Sequence, residues 1–212
     1  VSMASLLNDL DPKVRAAAAF ALGQTGPSRI QDSLLSRLRF ESDSTVSARI
    51  IESLGKIGNE SALDEVTEPQ GAGGSAFLNA ERALSVARFA IRGLKNEQSI
   101  WFCFEQLAHP SADVRWKALF ALWRAAPHGL IDIEIAKRES LLTHIALDPD
   151  VDVRLNFVTL LGRSKPGYAM DIVRSMQAED RKNPNWQLEV QLVRTIAALS
   201  TSEPEMLNDL IE

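Results

Sequence analysis

One cysteine and three histidines are all the soft-metal and redox chemistry that this chain of 212 residues carries. Cys103 alone excludes an intrachain disulfide framework and a cysteine-rich zinc site, and its apolar neighbours make an inert thiol the expectation. None of His109, His128 and His144 has a second histidine, cysteine or acid placed so as to repeat a known metal-ligand pattern, and His109, before Pro110, reads as a helix-capping ring. No apolar run approaches the ~20 residues that an apolar helix needs to cross a bilayer. Nucleophile elbows, phosphate loops and dinucleotide fingerprints are missing, and the GAGG string lacks the strand and helix that would give it meaning. Neither a cofactor nor a metal is expected. The net charge of −5, with a pI near 5.3, gives no whole-chain attraction for nucleic acid, although it permits a local basic patch.

What is present is punctuation that repeats. Asp11 to Gly26, DPKVRAAAAFALGQTG, places an Asp-Pro at a helix start, a Val-Arg pair in its first turn, four alanines for close packing, and Gly23 and Gly26 at its end. Before it, SMASLLNDL has Met3, Leu6, Leu7 and Leu10 at helical spacing. After it, SRIQDSLLSRLRFE has Ile30, Leu34, Leu35 and Leu38 on one face, joined by a tight Gly-Pro turn. DSTVSARIIESLGKIGNE then repeats the first helix 32 residues on. The anchors Val14, Val46, Val86, Val114 and Val153, each followed eight residues later by Leu22, Leu54, Leu94, Leu122 and Leu161, are spaced by 32, 40, 28 and 39. A degenerate sixth copy, WQLEVQLVRTIAALS, follows about 38 residues later. Helix pairs at this period, without strand signals, predict an all-α solenoid whose units bury their apolar faces against their neighbours.

The strings DPKVRAAAAFALG, SADVRWKALFALW and DPDVDVRLNFVTLLG resemble the HEAT-repeat family of the HEAT-like, PBS-lyase type. The resemblance covers nearly the whole chain, with Ser47 and Ala87 departing from the expected arginine. It implies a right-handed superhelix of about five to six helix pairs over residues 1–212, interrupted by a Gly-rich stretch near 67–75. Tetratricopeptide and ankyrin signatures are absent. Two stretches break the pattern, SALDEVTEPQGAGGSAF and SMQAEDRKNPNW, and EPEMLNDLIE sets Met206, Leu207, Leu210 and Ile211 on one face, as either a last helix or the start of another unit. The opening VSMASLL and a weakly polar end lead to the expectation that the sequence is a piece of a longer protein.

Two constellations stand out. Arg15, Arg115 and Arg154 follow their anchors at equivalent positions, and the resemblance implies a structural ladder with Asp11, Asp113, Asp150 and Asp152. The aromatics gather between residues 101 and 123, with Trp116, Phe120 and Trp123 at i, i+4 and i+7. The stripe reads first as packing, with one or more of Trp101, Phe104, Trp116 and Trp123 reaching a partner.

Three functions compete. The first is a non-catalytic scaffold that binds a protein or peptide on a concave wall. The second helices, Arg29 to Glu41, Ser61 to Val66, Ile100 to Leu107 and Ile133 to Leu147, would form that wall, exposing Arg37, Arg39, Glu41, Glu105, Lys137, Arg138 and Glu139. The second is a repeat module of a larger enzyme, because AAAAFALGQTG, ARFAIRGL and VRWKALFALWRAAP are similar to repeat portions preceding a cyclophilin-type prolyl isomerase in some bacterial proteins. The third is a HEAT-like alkylpurine DNA glycosylase, for which Asp113, Arg115 and Trp116 supply residue types but the acidic charge argues against it. The expected partner is a protein or peptide rather than nucleic acid, and a monomer is the default.

Overall fold

In the computed structural model, residues 2–25, 30–68 and 75–200 are described. The Gly26-Pro27 turn, most of the Gly-rich stretch and the expected final helix at Met206 to Ile211 lie outside them. All regular structure among the described residues is helical, and the contacts gather into two compact units, Val1–Ala125 and Ala126–Glu212.

In the first unit a 3-10 helix at Met3–Asn8 is followed by α1 (Pro12–Thr25), α2 (Gln31–Leu38), α3 (Ser44–Ile57), α4 (Glu60–Thr67), α5 (Ala76–Ile91), α6 (Glu97–Gln106) and α7 (Ala112–Ala125). Short polar side chains start α3, α4, α5 and α6, whereas α2 begins on Ile30 without a side-chain cap. Asp43 Oδ1 accepts from Thr45 N and Val46 N at 2.9 and 3.0 Å, and Asn59 caps α4 and Asn96 caps α6 in the same manner. The aspartates of the repeat therefore serve as helix caps.

The odd-numbered helices stack side by side. Gly23 lies against α3 so closely that a Cβ there would stand 2.6 Å from Ser53 Cβ and 2.8 Å from Ser53 Cα. At the same crossing Ser53 Oγ donates to Ala19 O at 2.8 Å. Gly55 repeats the approach on Ser85 of α5, and Ser85 Oγ donates to Ile51 O at 3.0 Å. A glycine four residues after the acceptor carbonyl admits the next helix, and the hydroxyl ties it down. By contrast α2, α4 and α6 touch one another far less and are bridged by polar side chains, Arg39 to Glu65 at 2.7 Å and Asn96 Nδ2 to Asp64 Oδ1 at 2.6 Å.

This crossing corrects the repeat register. Ser85 is the counterpart of Ser53, so Leu78, not Val86, takes the place of Val46, and Val86 takes that of Leu54. Leu94 lies beyond the end of α5. The anchors become Val14, Val46, Leu78 and Val114, spaced by 32, 32 and 36. The string ARFAIRGL imitates the closing Ala-Leu-Gly of a unit, whereas α5 starts on Ser75, which caps Leu78 N, without the Asp-Pro cue.

The second unit contains α8 (Gly129–Lys137), α9 (Glu139–Ala146), α10 (Val151–Ser164), α11 (Ala169–Asp180) and α12 (Trp186–Ser200). The expected single helix from Ile133 to Leu147 is broken at Arg138, whose φ of −116° and ψ of 23° leave the helical region. Tyr168 Oη donates to Ile135 O at 2.7 Å next to that break. The glycine–hydroxyl crossing recurs: Gly162 faces Thr195, whose Oγ1 donates to Val158 O at 3.3 Å. Leu188 is thereby the sixth anchor, 35 residues after Val153, rather than a position about 38 later.

Candidate functional site

Two layers of unequal spacing bend a stack toward the tighter one, so α1, α3, α5 and α7 form the inner wall of the first unit. The expectation that the second helices line the concave wall is corrected on this point. The alanines, glycines and serines that look inward-facing in sequence are spent on helix-to-helix approach. Each inner helix then presents four positions at i, i+4, i+7 and i+11 away from the core. On α1 these are Lys13, Ala17, Phe20 and Gln24, and on α3 Thr45, Arg49, Glu52 and Lys56. On α5 they are Phe77, Glu81, Leu84 and Arg88, and on α7 Asp113, Lys117, Phe120 and Arg124. All sixteen are exposed or half-buried.

Read across the helices, the last turns give a row of cations, Lys56, Arg88 and Arg124, beginning at Gln24 of α1. The wall carries six cations, Lys13, Arg49, Lys56, Arg88, Lys117 and Arg124, against three carboxylates, Glu52, Glu81 and Asp113, in a chain of net charge −5. Glu52 receives Arg49 Nη1 at 2.6 Å and Lys56 Nζ at 2.8 Å. Burial acts to raise its pKa, but these bonds and the field of Arg88 hold the carboxyl below its usual value. Arg88 Nη1 binds Glu81 at 2.6 Å and Ser85 Oγ at 3.0 Å, and Lys117 binds Asp113 at 2.8 Å.

Aromatic rings mark the two ends of this wall, and α5 adds apolar surface between them through the exposed Phe77 and the half-buried Leu84. Phe20 is 44% exposed, with Lys56 Nζ 5.1 Å and Arg49 5.8 Å from its ring centre. Trp116, Phe120 and Trp123 pack edge to face, at 6.5 and 5.1 Å between centres, and each stays half-buried rather than sealed in the core. Arg124 stacks 4.2 Å over Trp123 and 5.1 Å from Phe120, and makes no ion pair among the described residues.

The other singled-out residues fall elsewhere. Phe104 is fully buried and is withdrawn as a partner contact, because it fills the core under α6; Trp101, on the same helix, is 38% exposed but belongs to the outer layer. Arg37 also lies there, bound to Glu41 at 2.8 Å. Glu41, expected to be exposed, has a fully covered side chain that accepts from Arg15 Nε and Nη2 at 2.9 Å each and from Asp43 N at 2.9 Å. Burial opposes ionisation, yet Arg15, Asp43 N and Arg37 bring the Glu41 carboxyl down to about 2. In the second unit Arg138 and Lys137 hold the buried Glu134 at 3.3 and 3.0 Å. The Glu139 side chain lies outside the described part.

The three arginines of the expected ladder share a backbone contact. Arg15 Nη1 donates to Asp9 O and Leu10 O at 2.9 and 3.1 Å, Arg115 Nη1 to His109 O and Pro110 O at 2.9 and 2.8 Å, and Arg154 Nη1 to Asp148 O at 2.6 Å. What repeats is a guanidinium on the carbonyls of the turn before its own helix. Asp11 Oδ1 instead accepts from Lys13 N, Asp150 Oδ1 accepts from Asp152 N and Val153 N as the cap of α10, and Asp113 holds Lys117 and the Trp116 indole. Asp152 sits in the first turn of α10. Asp113, Arg115 and Trp116 thus engage different partners rather than converging on one reacting point. Burial pushes the Cys103 thiol up, His109 Nδ1 accepts from Ser111 N, and His128 caps α8. No group of three or more metal-binding side chains occurs among the described residues, and no helix there is long and apolar enough to cross a membrane.

The crossing hydroxyls Ser53, Ser85 and Thr195 were not legible as a set, although a hydroxyl 34 to 37 residues after the acceptor carbonyl is a signal once the glycine pairing is known.

This architecture has known relatives. Residues 2–69 match the family model for HEAT repeats. The fold as a whole is similar to the crystal structure of an engineered protein, with a TM-score of 0.68 and 15% identity over 94% of this chain and 95% of that one. It is also similar to a designed armadillo repeat protein in complex with the peptide (KR)4, with a TM-score of 0.64 and 16% identity over 93% and 98% of the two chains. The X-ray structure of YibA from E. coli matches with a TM-score of 0.66 and 17% identity over 96% and 73%. No curated protein matches the sequence. The chain has an all-helical repeat fold similar to the HEAT and armadillo folds.

Proposed function

We propose that this scaffold binds a protein or peptide, without catalysing a reaction, on the face made by α1, α3, α5 and α7. The carrying observation is the four-by-four array of outward positions, with aromatics at both ends, Phe77 and Leu84 between them, and a surplus of cations around them. Small residues fix the spacing of the wall, which leaves its outward positions available to recognise a ligand. Mixed sign and apolar patches suit a polypeptide, which alternates charged and neutral groups, better than an uninterrupted run of phosphates. The designed armadillo neighbour carries its peptide on the same class of fold, which supports the reading at the level of architecture.

A displayed library of random twelve-residue peptides, panned on the folded chain, tests this. Enriched peptides are expected to bind Phe20→Ala and Trp116→Ala variants about tenfold more weakly, a loss of ~1.4 kcal/mol. Enrichment of nothing, or binders indifferent to both substitutions, contradicts it.

A further inference from the structure

The basic row has a spacing as well as a sign. Lys56, Arg88 and Arg124 sit at matching positions in the last turns of three successive helices. Packed helices stand ~8–10 Å apart. A chain in the polyproline II conformation advances ~3.1 Å per residue with three residues per turn, so its equivalent side chains recur every ~9 Å. The two repeats match, whereas a β-strand brings side chains to one side every ~7 Å. A cation row therefore meets acidic side chains placed at every third residue.

The apolar side chains add a second constraint. Trp116, Phe120 and Trp123 form a half-buried edge-to-face cluster at the Arg124 end of the row, Phe20 lies beside Lys56 at the other, and Leu84 stands one helical turn before Arg88 between them. Aromatic surfaces of this kind hold proline rings, and a preformed extended helix loses little entropy on docking. Glu52, Glu81 and Asp113, interspersed among the cations, repel a polyanion with charge at every unit but leave room for neutral residues between carboxylates.

We infer that the inner wall of the Val1–Ala125 unit takes an acidic, proline-rich segment in the polyproline II conformation, with carboxylates three residues apart meeting Lys56, Arg88 and Arg124. This rests on the proposed binding role and names the chemistry of its partner. Lys56 and Arg88 exchange part of their pairing with Glu52 and Glu81 for the incoming carboxylates, while Arg124 offers its edge from the stacked position over Trp123.

Fluorescence anisotropy of labelled (EPP)4 on the whole chain tests the inference, with (EP)6, (KPP)4 and an oligothymidylate as comparators. The inference expects (EPP)4 to bind about tenfold more tightly than any comparator. Added salt should weaken it. Lys56→Gln with Arg124→Gln should weaken it about tenfold with an unchanged melting curve, while Arg124→Lys keeps most of the binding. Equal binding of (KPP)4, (EP)6 or the oligonucleotide, or indifference to the double substitution, overturns it. If panned peptides bind at Phe20 and Trp116 while (EPP)4 does not, the acidic reading falls and the scaffold reading stands. If no peptide of either kind binds, both fall.

Discussion

The inner layer of the first unit joins its helices backbone to backbone, through Gly23 on Ser53 and Gly55 on Ser85, while the outer layer joins them at arm's length, through Arg39 on Glu65 and Asn96 on Asp64. Contact without side-chain length tolerates almost no added volume. Contact through exposed charged chains tolerates a great deal, because water replaces a lost partner. The geometry of the unit thus resides in a few small residues, and the outward positions of the same helices stay exposed or half-buried.

The largest break in this comparison should come from Gly23→Val. Its Cβ would fall within 2.8 Å of the Ser53 backbone, so the helices must separate, at a cost of about 3 kcal/mol in chemical denaturation. Glu65→Ala, the matching change in the outer layer, should leave the melting temperature within about 2 °C of the parent. If the two variants melt alike, the layers are not different in kind.

Between these extremes lies Glu41, an outer-layer side chain that is fully covered. Glu41→Ala removes the shared partner of Arg15 and Arg37 and should cost about 2 kcal/mol. The pH dependence has a definite sign. The folded-state pKa of Glu41 is lowered to about 2, against an ordinary glutamate near ~4.3, so its contribution is complete above the higher value and is lost as pH falls toward the lower one. Urea titrations between those limits should show a shallower acid limb for Glu41→Gln.

Ser53→Ala isolates the hydroxyl bond to Ala19 O from the close approach itself, and should cost about 1 kcal/mol by denaturation. A small gain rather than a loss is expected in the second unit. There Asp180 accepts from Asn185 N at 3.2 Å, the role that Glu41 plays toward Asp43 N, and Asp180 and Arg154 both line a cavity of about 320 Å³. Asp180→Glu lengthens the carboxylate toward Arg154 and should raise stability by about 0.5 kcal/mol in a thermal melt.

The class of fold was legible because a D-x-x-V-R-x-x-A-x-x-A-L-G helix repeats its caps, anchors and closing glycine. A residue such as Asp43, which caps its own helix, acts locally, where sequence speaks directly. The third register and the choice of the odd-numbered helices as the proposed face were not legible. Leu78 lacks the Val-Arg signature, and Ser85 declares itself only through Ile51 O on another helix, 34 residues away. The alanines and glycines that mark the repeat helices also resemble the filler of a buried layer, which points to the second helices as the wall. Trp116 and Trp123 stand out by composition, whereas the row of Lys56, Arg88 and Arg124 appears only after α5 is placed correctly.

Whether a peptide docks on α1, α3, α5 and α7 is decided by photo-cross-linking a benzophenone-bearing peptide, taken from the panned pool, to the whole chain and mapping the adducts by mass spectrometry. Adducts are expected at outward positions of those helices, such as Phe20, Arg49, Leu84 and Phe120. Adducts confined to α2, α4 and α6, around Arg37, Arg39 and Trp101, would contradict docking on that face.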